Sequence, residues 1–163
     1  MLLNNSVEFY FKEKISSYTE KFYKKNESID SYLSKMLTSK IRLVEKKYLF
    51  DLYKKCNENN DFQSYLNLAE HSLYISGFFT ASLNNSTVGI PYYIDMGKTA
   101  YLQASKVCKI KENEMIFSSL SIDFEFYLNC LFSISKDSFN SDKLSFASQD
   151  IIILNPDLLR KKH

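Results

Sequence analysis

A proton-transfer or nucleophilic site in this chain would need an imidazole, and only two are present, His71 and the terminal His163. His71 is therefore the candidate general base or relay. It adjoins Glu70, but consecutive residues on a helix point about 100° apart, so the two do not form a facing pair. A di-metal helical centre needs several Glu residues and Glu-x-x-His pairs on facing helices, and this chain has no such pair. Cys56, Cys108 and Cys130 are odd in number, widely spaced and without a Cys-x-x-Cys pair, which suits neither a zinc site nor a disulfide framework. Each reads as a small buried apolar residue, and a reducing cytoplasm suits all three. Glycines at 77, 89 and 97 cannot build a phosphate-cradling loop. The carboxylates of Asp123 and Glu125 diverge if their segment is helical. No catalytic residue, metal ligand or cofactor is expected.

One strip stands apart. It runs through Ala69–Phe79 and resumes at Pro91–Tyr101, and its candidate residues are Glu70, His71, Tyr74, Gly77, Phe78, Tyr92, Tyr93, Asp95, Met96 and Tyr101. Acids stand there within apolar, aromatic-rich helices. Every glycine and every proline except Pro156 falls between 77 and 97. Two readings are open: a pocket holding tyrosyl hydroxyls and a carboxylate, or a tightly packed helix pair whose tyrosines reach Glu70 or Asp95.

Leu73, Tyr74, Gly77, Phe78 and Phe79, then Tyr92, Tyr93, Met96, Gly97, Ala100 and Tyr101, resemble the mark of a group of bacterial helical proteins. That mark is roughly Gly-Asp-x-Ala-Leu-Phe/Tyr-x-x-Gly-Phe/Leu-Phe-Pro-Glu, a short loop, then Asp-Tyr-Tyr-x-x-Met-Gly-x-x-Ala-Tyr. Ala69-Glu70, Thr80-Ala81 and Pro91 depart from it. The resemblance implies a helical fold and singles out the strip; it implies no reaction.

The elements that must position the strip are helical. The chain has 163 residues, with 3 Gly and 2 Pro, far below average usage and too few for the tight turns of a sandwich or barrel. Apolar residues recur at three- and four-residue spacing. A first helix is expected from a cap at Asn5 or Ser6, with Val7, Phe11, Ile15, Tyr18 and Phe22 inward, ending at Lys24-Lys25-Asn26. A long second helix from Ser28 or Asp30 to about Cys56 carries Leu33, Leu37, Ile41, Val44, Tyr48 and Leu52. A third, capped by Asp61 over 62–79, is apolar nearly all round and so central. Residues 80–90 form a loop. Pro91 opens a fourth helix, 91–108, with a small face of Gly97, Ala100 and Ala104. A fifth, 112–135, fits a helix through Ile116, Leu120, Phe124, Tyr127, Leu131 and Ile134, yet Leu120, Ile122, Phe124 and Phe126 alternate as a strand would. From about 136 to 163 a tail follows, its Ile151–Leu154 run docking on the bundle. The expected fold is all-α: one domain, an antiparallel bundle of about five helices with a C-terminal tail.

Charge is unevenly spread. Residues 1–56 carry 12 Lys/Arg against 7 Asp/Glu, and residues 57–163 carry 9 against 12. With Arg42 and Arg160 the only arginines, specific nucleic-acid reading is not expected. No apolar run reaches spanning length and the opening residues lack a signal-peptide pattern, so neither a membrane partner nor export is expected. The expectation is a small cytoplasmic non-catalytic interaction or regulatory protein, with another protein or a second copy of itself as partner. The alternative is a ligand-binding or enzymatic bundle with a Tyr/Glu/His-lined pocket between 62–79 and 91–108, where Glu70 or His71 would move the proton.

Overall fold

The computed structural model describes residues 2–42, 48–83 and 89–139. All regular structure in them is helical: α1 (Leu2–Lys21), α2 (Glu27–Arg42), α3 (Leu49–Asn59), α4 (Phe62–Phe78), the single turn α5 (Thr80–Leu83), α6 (Ile90–Val107), α7 (Lys111–Ile122) and α8 (Phe124–Phe139). These eight segments replace the expected five because two long helices are each broken, and the loop contains a turn of its own.

The described residues form two compact units. The first draws on residues up to 45 and from 130 onward; the second spans Lys46–Asn129. In the first, α1 packs on α2. Val7, Phe11 and Ile15 are fully buried as the spacing predicts, whereas Phe22 is exposed and the buried position at the end of that face is Thr19. Helix α1 also begins before the expected cap: Ser6 lies within it. It ends earlier too, at Lys21, in a paired-turn stop in which Lys24 N–H donates to Thr19 O (2.8 Å) and Tyr23 N–H to Glu20 O (3.1 Å). That motif requires a left-handed residue, usually glycine; here it is Tyr23, at φ 59°. Asn26 then caps α2, its side-chain oxygen accepting from Ile29 N–H at 3.1 Å.

The expected second helix does not run through. Leu33, Leu37 and Ile41 are buried on α2, Val44 lies outside the described residues, and Tyr48 is extended (φ −96°, ψ 134°) and mostly exposed. Apolar spacing carries on across 43–48, but α2 and α3 bury their faces in different units. Tertiary packing overrides a local pattern that contains no glycine or proline to mark the break.

In the second unit α4 packs against α3 and α6, and α6 against α7. No residue from Ser64 to Phe79 is exposed, which fits a central helix. Asp61 caps it, accepting from Ser64 N–H at 2.8 Å; the Ser64 hydroxyl first, and this backbone bond second, hold its carboxyl below the usual range. Pro91 lies in the first turn of α6, where its missing N–H leaves nothing unpaired. Asp61→Ala is expected to lower the melting temperature by about 3 °C, and Asp61→Asn to leave it unchanged; thermal unfolding followed by circular dichroism checks both.

The predicted fifth helix turns through 83° at Asp123. Leu120 and Phe124 are buried while Ile122 is exposed, so the strand-like alternation marks a corner between two helices rather than a strand. The six residues of its expected helical face are all buried. The Ile151–Leu154 run lies outside the described residues. Among the described residues no single helix is long and apolar enough to cross a membrane.

Candidate functional site

The strip is built on α4 and α6, and its residues divide by depth. Tyr74, Gly77, Phe78 and Tyr101 are deeply buried, and His71 is buried at the margin. Glu70, Tyr93 and Met96 are half-buried; Tyr92 and Asp95 are exposed. Burial pushes the Tyr93 hydroxyl up, with the Tyr92 hydroxyl adding to it.

The buried members are packed against rings. Tyr74 contacts Phe78 and Phe79, each at a centroid distance of 5.5 Å. Tyr101 contacts Phe117 at 6.1 Å and Phe124 at 6.2 Å. Such offset and edge-on pairs stabilise a core through area and ring electrostatics.

The small residues explain the close approach of α4 and α6. Ala100 and Ala104 are buried as expected. Ser72 and Ser76 donate back to Leu68 O (2.8 Å) and Ser72 O (2.6 Å), so their hydroxyls are satisfied within α4. A Cβ on Gly97 would overlap the Phe124 ring edge and meet Ser72 Cβ at 3.1 Å. Ser121 Oγ donates to Lys98 O at 2.7 Å, tying α7 to the same turn of α6.

A groove of about 300 Å³ opens beside this packing. Tyr53, Cys56 and Asn57 of α3, Tyr65 and Leu68 of α4, and Met96, Thr99, Ala100 and Gln103 of α6 line it. Within each helix these positions fall at three- and four-residue spacing, so each contributes one continuous face. Of the ten candidate residues of the strip, only Met96 lines the groove; Thr99 and Ala100, from the same stretch, line it beside Met96.

Among the described residues, no charged side chain lines it. Cys56 Sγ donates to Ser64 O at 3.2 Å, and burial, followed by the charge of Asp61, pushes its thiol up. A thiol held protonated is a poor nucleophile. Tyr65 Oη donates to Asn60 Oδ1 at 2.9 Å. Amides, hydroxyls and an apolar floor can hold an uncharged amphipathic group, and nothing in the lining would counter a phosphate or carboxylate charge. Among the described residues, no three of His, Cys, Asp and Glu converge as a metal ion requires.

Sequence reasoning missed most of the groove. By spacing alone Tyr53 and Cys56 fall at the end of one long helix and Asn57 just beyond it; their common face emerges once α3 starts afresh at Leu49. It also missed a buried polar cluster in the first unit. Asp30 on α2 is fully buried and accepts from Ser16 Oγ (3.0 Å) and Thr19 Oγ1 (3.1 Å). Burial, with the Asp30 charge second, pushes the Cys130 thiol up to about 12. Cys56 and Cys130 are buried as expected, whereas Cys108 is half-buried. The one signal for the cluster was a pair of hydroxyl residues, Ser16 and Thr19, placed where an apolar face would continue.

The sequence finds no match among models of known protein families, characterised proteins or solved structures.

Proposed function

We propose that this protein is a small non-catalytic interaction or regulatory protein that takes the apolar face of a partner helix into the α3–α4–α6 groove. The observation that supports this most is the uncharged lining at helical spacing on three elements. Helix-in-groove recognition uses such a surface, and Met96 supplies an adaptable contact. Exposed Phe50 and partly exposed Tyr53 on α3 extend the apolar surface. The proposed setting is the cytoplasm, in keeping with three unpaired cysteines. The proposed occupant is another protein, with a second copy of this chain as the alternative.

Thr99 is the exposed lining residue on α6, so Thr99→Trp blocks the groove without disturbing the core. In a quantitative pull-down at micromolar concentration, the wild type is expected to retain a partner or to self-associate. Thr99→Trp should weaken that capture about tenfold, the effect of losing a central contact. Absence of both partner and self-association in the wild type overturns the proposal, as does capture that Thr99→Trp leaves unchanged.

A second reading is a small-molecule binding bundle, and the groove's volume favours it, since about 300 Å³ lies at the lower bound of ligand sites. Glu70 and His71 do not line the groove, so this reading is one of binding, not proton transfer. Neutral amphipathic ligands raising the melting temperature of the wild type but not of Thr99→Trp would support it.

A further inference from the structure

The turn between α1 and α2 presents Lys21, Phe22, Tyr23, Lys24 and Lys25, all exposed. Tyr23 is 97% exposed and occupies the left-handed position that stops α1. Glycine costs least there and a bulky residue is an outlier. A tyrosine at such a position, without burial to offset the backbone cost, points to a contact outside the fold. Phe22 beside it is 47% exposed, with Lys21 Nζ 5.8 Å from its ring centroid. The flanking acids are Glu20 and Glu27. Glu27 is paired with Lys12, which holds its carboxyl below the usual range. Counting Lys21, Lys24, Lys25 and the Lys12 that pairs with Glu27 against Glu20 and Glu27, the turn carries a net positive charge.

We infer that this turn is a docking tip for an anionic lipid surface, with the Phe22 and Tyr23 rings at headgroup depth and Lys21, Lys24 and Lys25 against the phosphates. Three properties favour a bilayer over a protein partner. Lysine is depleted in protein–protein interfaces but suits a diffuse anionic surface, where its long stem keeps the ammonium at headgroup level. All the cations of the turn are lysines, point charges without the bidentate fork that reads a particular carboxylate geometry. Tyrosine is enriched at the membrane–water boundary. The contact is superficial and needs no spanning helix. It is also separate from the groove and stands or falls independently of it.

The chain contains no tryptophan, so Tyr23→Trp places a single reporter at the tip. With vesicles of phosphatidylcholine and phosphatidylglycerol at low salt, its emission is expected to shift to the blue and the full-length protein to float with the vesicles. Phosphatidylcholine alone should produce neither result, and high salt should release the protein. Each lysine near such a surface is worth about fivefold in partitioning, so Lys24→Ser with Lys25→Ser should weaken flotation about 25-fold. Tyr23→Gly should weaken it as well, while leaving the melting temperature equal or higher because glycine suits the backbone. That split is one that loss of folding cannot imitate. Failure of the wild type to float, equal flotation with neutral vesicles, or a Tyr23→Gly protein that floats as well as the wild type overturns the inference. So does binding to an acidic polypeptide without binding to anionic vesicles, which would make the tip a protein contact.

Discussion

Gly97→Ala is expected to lower the unfolding free energy by about 2 kcal/mol net, seen as a lower urea midpoint at unchanged slope. The added methyl would overlap the edge of the Phe124 ring and press on Ser72 Cβ. Neither neighbour yields easily. Phe124 is fully buried and held against Tyr101, and Ser72 Cβ is fixed to the backbone of α4. Overpacking of this kind costs about 1–3 kcal/mol and occasionally more. Two rigid neighbours place it at or above the top of that range, and the better helix propensity of alanine offsets about 1 kcal/mol. Gly89→Ala is the control: its Cβ would meet only Pro91 Cδ at 3.5 Å, an ordinary contact, so it should stay within about 0.5 kcal/mol of the wild type. Phe124→Leu should relieve part of the strain, making the double variant more stable than the two single losses predict. A Gly97→Ala protein as stable as the wild type would mean that α6 does not lie this close to its neighbours.

The same residue shows what a sequence reveals and what it hides. Gly97, Ala100 and Ala104 announce close helix contact by size alone, and the structure places a contact there. Asp61 and Pro91 announce helix starts through local chemistry, a carboxylate that accepts an N–H and a ring that lacks one. Tyr48 announces nothing. Apolar spacing passes through it unbroken, and the break exists because the helices on either side bury their faces in different units. Tyr23 is equally silent, since nothing in its type marks a left-handed position. The corner at Asp123 did leave a trace, in the alternation from Leu120 to Phe126, but that signal fits a strand as well as a change of helix direction. Much of the strip singled out as a candidate site owes its unusual composition to tight packing. At Gly97 the rare residue fills the space between helices with backbone, and the groove opens instead beside Ala100, among residues of ordinary type that only the meeting of three helices brings together.

Asp30→Ala is expected to destabilise the protein by about 2 kcal/mol at neutral pH, whereas Asp30→Asn should leave it as stable as the wild type or more so. Alanine removes the acceptor of the Ser16 and Thr19 hydroxyls inside a fully buried site and leaves a void. Asparagine keeps the shape and one oxygen to accept from both hydroxyls, while it discards the charge and turns the other oxygen into an NH2 donor. That charge is a burden on the native state. Burial raises the Asp30 pKa more than the hydrogen bonds from Ser16 and Thr19 lower it, Glu27 adds to the rise, and Lys25 opposes it. The facing Cys130 stays a neutral thiol, its own pKa pushed up to about 12. With the native pKa above that of the unfolded chain, the folded protein holds the proton more tightly. Stability is therefore greatest below the ordinary carboxylate value of about 4 as far as this group is concerned. It falls as pH rises through the raised native value, and the full penalty persists above that. Asp30→Asn has no proton to lose, so its stability relative to the wild type should climb across that window and then level off. Denaturant unfolding at a series of pH values reads the difference directly. An Asp30→Asn protein as weak at neutral pH as Asp30→Ala would show that the buried negative charge stabilises the α1–α2 pair, and would reverse the sign of the argument.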